Sequence, residues 1–477
     1  QKTFNFMKKG IPIIYSAPIY NTKNNTYGII DLLVRSDYIN KLFKEQIIEP
    51  HLETKKAPKL MGNFHYLVID IKWTTLNLCA DGKHLLNTGR IPAYKSQLSI
   101  YNQAISEFQG YNPNKAFILG RRWSYTSKGQ TFSGNNCNDR LGVIDYKTKD
   151  KDIIDKTRDA IEWIRDVNKK GINWCPYTES KIELYPNMCR DSGIWNNMKS
   201  KIANNIGEIS MIWQCGEKQR KLAHSQGIMS WKDERCNSKV LGFKEGSDRS
   251  KIIDNILCVN REDKPVIMLR EDWIWPKYHH NEIYVDFETF TDICESVDKV
   301  VEVNNIHQIF MIGVGKQNEL GVWEYRSFIC KDKTKVEEKR IIQEFYDFYK
   351  ELGSPPMYYW CAEKSFLNKS CKEHNIQLSI DMYDMCELFK DNYISITGCF
   401  GYGLKEIVKV MKYNNLIDTR LESECRNGMM AMIKAFKCYE NSKKPHHHPI
   451  MKDISKYNEF DCKAIFDINH WIRNNLL

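Results

Sequence analysis

Two apolar runs of strand length, FHYLVIDIKW (64–73) and EIYVDFETF (282–290), each carry charged side chains at alternating positions. Alternate residues of a strand share a face. Asp70 and Lys72 therefore project together from the first run, and Asp286 and Glu288 from the second. An unpaired charge on an interior strand is costly, and adjacent carboxylates repel unless a cation holds them. Such runs belong at sheet edges or at sites, which narrows the chain to α/β folds whose strands present chemistry. The plainer alternative for Asp70 and Lys72 is a surface ion pair on a strand edge.

The chain has 477 residues, enough for roughly three domains at ~150 residues each. Hydrophobic residues at 42% and aromatics at 12% exclude a wholly disordered protein. No stretch of 18 uncharged apolar residues occurs, so neither a membrane span nor a membrane partner is expected. The first residues, QKTFNFMKKG, lack the apolar core of a signal peptide and an initiator Met, so the natural N-terminus is expected upstream. A net charge of +10 permits a polyanionic partner without demanding one. The 16 cysteines run from Cys79 to Cys462 with no C-x-x-C pair, which argues against a zinc ribbon or a redox motif. Reduced, mostly buried thiols in an intracellular compartment, cytoplasmic or nuclear, are expected. An iron–sulfur cluster would need cysteines gathered from distant segments.

Three regions differ in pattern. Residues 1–168 alternate strand-like runs, such as YGIIDLLVR (27–35) and KAFILGRRW (115–123), with helical stretches. Residues 169–278 read mainly as helix with basic turns. From 279 the α/β pattern returns, with IHQIFMIGVG (306–315) and VWEYRSFI (322–329) as strands. The polar NSKKPHHHPIMKD (441–453) reads as a solvated loop.

In the first region Asp31 follows Gly28 within an apolar run, and Gln97 and Tyr101 lie at i and i+4 on one helical face. Phosphodiester hydrolysis needs a divalent ion to polarise the phosphate and activate water. Asp31 and Asp70 can hold Mg²⁺ through hard oxygens, and Lys72 can offset transition-state charge. The order G-x-x-D, D-x-K, Q-x-x-x-Y resembles the PD-(D/E)xK nucleases of the RecB type, over about residues 5–168. EFQGYNPNKAFILGRR (107–122) resembles the continuation in predicted RecB-family nucleases. The resemblance implies that Asp31, Asp70 and Lys72 are catalytic, with Gln97 and Tyr101 as accessory residues. The family usually adds an acid from an N-terminal helix, and none precedes Asp31. A rival D-x-K, Asp145 and Lys147, has no glutamine after it within 148–168.

Between Lys199 and Lys244 there are nine Lys/Arg and four Asp/Glu, a net of +5. Helical patterns flank a turn at Cys215-Gly216, followed by Lys218, Arg220 and Lys221. This resembles a helix–hairpin–helix element, which grips nucleic-acid backbone without reading sequence. The alternative is a helical connector with a solvated basic face.

In the last region Tyr457 and Asp461 are i and i+4 on an amphipathic helix. D-x-E early and Y-x-x-x-D late resemble the DEDD exonucleases of ribonuclease-H-like fold. More closely, they resemble the YprB-type domain that follows RecB-type nuclease domains, over about 280–475. The resemblance implies that Asp286, Glu288, Glu363 and Asp461 are metal ligands and that Tyr457 orients the attacking water. Asp384 reads as a capping residue.

The expected fold is thus α/β multidomain. It has a restriction-endonuclease-like core at 1–168, a helix–hairpin–helix-like bridge at 169–278 and a ribonuclease-H-like domain at 279–477. The expected function is a nuclease using Mg²⁺ or Mn²⁺ on nucleic acid, DNA ahead of RNA, in repair, recombination or replication, with a 3′→5′ exonuclease at the C-terminal site. The alternative is a catalytically impaired nucleic-acid-binding scaffold serving a helicase or polymerase, a role that a virus-encoded replication factor would also fit.

Overall fold

Alternating apolar and polar residues set the strands at both ends of the chain. The computed structural model describes residues 1–134, 139–177, 181–262, 267–291 and 307–476. They divide into two units, with the boundary between 173 and 174.

The first unit runs α1 (Lys2–Lys8), β1 (Ile13–Asn21), β2 (Thr26–Arg35), α2 (Ser36–Leu42), α3 (Pro50–Glu53) and β3 (Tyr66–Asn77). It continues with α4 (Ile91–Gln109), β4 (Lys115–Ser127), β5 (Gln130–Gly134), β6 (Gly142–Asp145) and α5 (Lys151–Lys170). Strands β1, β2 and β3 form an antiparallel meander. Strand β4 joins parallel to β3, which requires a crossover, and α4 supplies it. A proline opens α4, and Gly110 closes it at φ +70°, a left-handed cap that glycine adopts without strain. Leu98, Tyr101 and Ile105 of α4 are buried in one core with Ile30, Val68 and Ile118 of the sheet. Gly28 permits this approach, because a Cβ there would meet Tyr101 Cε1 at 2.4 Å.

The second unit begins with α6 (Asn196–Ile206), α7 (Glu217–His224), α8 (Asp248–Arg261) and β7 (Ile267–Met268). Next come β8 (Ile283–Thr291), β9 (His307–Gln317), β10 (Trp323–Ile329), α9 (Lys335–Glu351), β11 (Met357–Tyr359) and α10 (Glu363–His374). Then follow β12 (Met382–Asp384), α11 (Met385–Asp391), β13 (Ser395–Ile396), α12 (Leu404–Tyr413), α13 (Gly428–Asn441) and α14 (Pro449–Asn475). The main sheet has the order β10-β9-β8-β11-β12. The first three strands are antiparallel, and β8, β11 and β12 are parallel. Helix α14 packs across β8 and β9. On the sheet face it covers, the Tyr284 and Phe466 rings meet edge to face at 5.3 Å.

The region expected as a separate bridge packs into this second unit. Ile209, Ala223, Trp231, Leu241 and Ile253 share a core with Phe389, Met411 and Ile465. Its helix content is lower than the sequence reading, with turns and short 3₁₀ segments between α6, α7 and α8. At the turn expected to be a helix–hairpin–helix element, α6 and the 3₁₀ turn Ile209–Met211 precede Cys215-Gly216, and α7 follows directly. The loop expected at 441–453 is shorter, since α14 starts at Pro449, where proline fits the first helical turn. Among the described residues no helix is long and apolar enough to cross a membrane.

Candidate active site

Strand β8 is interior, paired with β9 on one side and β11 on the other. Ile283, Val285 and Phe287 enter one apolar core, which turns Asp286 and Glu288 to the opposite face. Helix α14 delivers Tyr457, Asn458 and Asp461 to this region. Asn458 is fully buried. Its Nδ2 donates to the Asp286 carbonyl at 3.0 Å and to Asp286 Oδ2 at 2.7 Å. Its Oδ1 accepts the Tyr325 hydroxyl at 2.9 Å. Gly313, opposite Asp286 on β9, makes room for it, since a Cβ there would lie 1.6 Å from Asn458 Oδ1.

Glu363 begins α10 and is buried; its Oε2 accepts the Ala362 backbone N–H at 3.1 Å. Lys405, in the first turn of α12, reaches in from the other side. Its Nζ donates to the Tyr457 hydroxyl, lies 3.8 Å from Asp461 Oδ2 and sits 4.0 Å from the Tyr457 ring centre.

Electrostatics ties these acids together. Burial pushes Asp286 well above the usual carboxylate range, and Asp461, Glu288 and Glu363 push it further. Glu288 is raised in the same way, by burial and then by Asp461. Burial lifts Glu363 to about 8, with Asp384 and Asp461 adding to the backbone-moderated rise. Asp461 is lifted by burial to about 6, with Lys405 and the Tyr457 hydroxyl pulling it back. Four buried acids, of which Asp461 raises the other three, form a site that favours either protons or a cation.

The donor set fits a hard divalent ion. All four acids offer carboxylate oxygen, and Asp461 Oδ1 is buried without a hydrogen-bond partner. No three of these acids bring oxygens within 4.8 Å of one another, so they do not form a closed cage.

Residues 301–473 match a family model described as the RNase_H superfamily. The C-terminal region is an RNase H-like domain. The superfamily implies nucleic-acid hydrolysis in general, and its nucleases generally use divalent metals. The RNase H-like match spans Glu363, Lys405, Tyr457 and Asp461 and begins after Asp286 and Glu288. No curated protein matches the chain significantly.

In the first unit, Lys72 Nζ lies 2.5 Å from Asp70 Oδ2, confirming their shared face. Burial raises the Asp70 carboxyl, Lys72 opposes this, and Asp31 adds to it. Asp31 Oδ2 accepts the Ile71 backbone N–H at 2.7 Å, which ties β2 to β3 at this point. Gln97 Nε2 donates to the Tyr101 hydroxyl at 2.8 Å. The rival Asp145 caps a turn, accepting the Lys147 and Thr148 backbone N–H groups at 2.9 and 3.1 Å, while Lys147 is exposed. Helix α1, KTFNFMK, carries no acid.

One expected nucleic-acid contact is corrected. Arg220 is buried, with its Nη1 3.1 Å from Glu208 Oε1 and 3.1 Å from the Tyr185 carbonyl, so it holds the core instead of facing a phosphate. Lys218 and Lys221 remain exposed, and Lys221 pairs with Glu217 at 2.7 Å. Lys405 and Asn458 were not legible as site residues. Lys405 sits in the run GYGLKEIV, where a lysine after a glycine at a helix start is the only available signal.

Proposed function

We propose that the chain is a metal-dependent nuclease whose RNase H-like unit is a 3′→5′ exonuclease acting on DNA, in repair, recombination or replication. The observation that carries this reading is the convergence of buried acids from β8 (Asp286, Glu288), α10 (Glu363) and α14 (Asp461), close enough that Asp461 and Glu363 raise the Asp286 and Glu288 carboxyls beyond what burial does. Asp286, Glu288, Glu363 and Asp461 would hold the ions. Mg²⁺ or Mn²⁺, when bound there, polarises the phosphate and lowers the pKa of the attacking water. Asn458 fixes the Asp286 carboxylate by donating to it. The Tyr457 oxygen accepts from Lys405 while its hydroxyl steadies the Asp461 carboxylate, which fixes the phenol beside the point where the attacking water would be oriented. Lys405 keeps Asp461 ionised by adding positive charge beside it.

In the first unit the order helix, three antiparallel strands, helix and parallel strand, with Asp31, Asp70 and Lys72 on adjoining strands, supports a RecB-type PD-(D/E)xK core. The ion pair that ties Lys72 to Asp70 at 2.5 Å favours a second reading for this unit, nucleic-acid binding without cleavage, as in a scaffold for a helicase.

Digestion of strands labelled at either end tests the proposal. Release of mononucleotides from the 3′ end is expected, dependent on Mg²⁺ or Mn²⁺ and abolished by Asp286→Ala. Tyr457→Phe should slow release and retain metal. Release from the 5′ end would overturn the assignment. Residual cleavage in Asp286→Ala should disappear with Lys72→Ala if the first unit cuts, and should be absent if it only binds.

A further inference from the structure

Among the described residues, the three-donor group that closes to within 4.8 Å lies beside the acid cluster, not within it. It comprises Cys361, Asp384 and Cys386. Their gathering follows from topology. Strands β11 and β12 are parallel, with Tyr359 opposite Asp384, so the chain leaves both strands at the same end. Cys361 follows two residues beyond Tyr359, and Cys386 two beyond Asp384. Asp384 Oδ1 accepts the backbone N–H groups of Cys361 at 3.1 Å and Cys386 at 2.9 Å. One carboxylate thereby pins both cysteine backbones. Cys361 holds φ +77°, a left-handed conformation unusual for a side-chain-bearing residue.

We infer that Cys361, Asp384 and Cys386 form a binding site for one zinc-type divalent ion, distinct from the hard-ion site at the acids. Two thiolates select a soft or borderline ion and reject Mg²⁺. Zinc ligands at ~2.0–2.3 Å in a tetrahedron stand roughly 3.5–3.8 Å apart. Donors already within 4.8 Å of one another reach that spacing by small side-chain rotations. Charge also balances. Two thiolates and a carboxylate carry three negative charges, and a divalent ion with the Lys390 ammonium, which is near enough to Cys386 to be raised by it, supplies three positive ones. Binding releases the thiol protons to solvent. The fourth position stays open to water.

The ion would act as a brace. Cys361 lies two residues before Glu363, so fixing its sulfur to β12 and α11 fixes the start of α10, which carries Glu363. That consequence rests on the nuclease reading; the metal site itself does not.

The test uses the full chain, purified under reducing conditions, stripped with chelator and titrated with Co²⁺ as a spectroscopic probe. The wild type should take up one Co²⁺ with the near-ultraviolet thiolate-to-cobalt band and the intense visible absorption of a tetrahedral site. Zn²⁺ should bleach both, and a hundredfold excess of Mg²⁺ should leave them. The double variant Cys361→Ser/Cys386→Ser should lose the bands while keeping its circular dichroism. Asp384→Asn preserves an oxygen to cap α11 and should weaken Co²⁺ binding at least ~10-fold. Asp286→Ala should leave the bands unchanged, so loss of nuclease activity with the bands intact separates this site from the acid cluster. Absence of the bands in wild type with titratable thiols, their persistence in the double variant, or a Cys361–Cys386 disulfide in the reduced preparation would overturn the inference.

Discussion

Lys405 tempers the rise that burial imposes on Asp461, Glu288 and Asp286. Its ammonium opposes the burial that lifts Asp461 to about 6. Lys405→Met should therefore raise the acid limb of the pH–rate profile, by up to about one pH unit after allowing for solvent screening of a partly exposed lysine. An unmoved limb would remove Lys405 from the site. Stability should follow the same groups. Asp461 and Glu363 hold protons up to about 6 and about 8 in the fold, whereas the unfolded chain loses them near pH 4. The folded state thus binds more protons between those limits, and its stability falls as pH rises through the window. Melting of the metal-free protein should be highest on the acid side and drop toward pH 8. Mg²⁺ should restore it, most at the alkaline end, where protons no longer compete. The double variant Asp461→Asn/Glu363→Gln should weaken both trends, leaving the share carried by Asp286 and Glu288.

At the scale of elements, the site depends on how closely α14 approaches β8 and β9. Gly313→Ala would place a Cβ on Asn458 Oδ1, and that buried amide, held by Tyr325 and Asp286, cannot yield cheaply. A cost of about 1–3 kcal/mol is expected, read as a lower melting temperature, with loss of nuclease activity beyond what the melting shift explains. This contact was invisible in the sequence, because a glycine in a strand and an asparagine in a distant helix carry no mutual signal. The strands themselves were legible. Runs 282–290, 306–315 and 322–329 match β8, β9 and β10 to within about two residues, because a short apolar run with side chains on alternate faces is what an interior strand needs. The acids on β8 were legible for the same reason. The helical reading of the middle region failed where apolar residues spaced like a helix instead fill the core around α7 and α8 through turns. Arg220 was misread because a basic run looks solvated until Glu208 is found beneath it. The Cys361, Asp384 and Cys386 group escaped because its spacing follows no metal motif; parallel strand ends bring it together.

The charge of the whole molecule bears on how it would hold nucleic acid. The net of +10 is modest, and half of it falls between Lys199 and Lys244, yet much of that segment's charge is internally paired. Arg220 meets Glu208, Lys221 meets Glu217 and Arg235 meets Asp233. The three basic residues expected to act alike should therefore separate into two behaviours. Exposed Lys218 and Lys221 can neutralise phosphates. Replacing both with alanine should reduce the slope of log K against log[salt] by up to ~1.8, at ~0.9 per lost contact, and weaken all sequences about equally. Arg220→Ala should act through stability instead. It would strip the partner from a carboxylate that is fully buried, and breaking such a pair costs about 3–5 kcal/mol. Its melting temperature should fall while the salt slope of the folded fraction stays at the wild-type value. Equal salt slopes for the lysine double variant and the wild type would remove α7 from the nucleic-acid surface, and a well-folded Arg220→Ala with a reduced slope would return Arg220 to it.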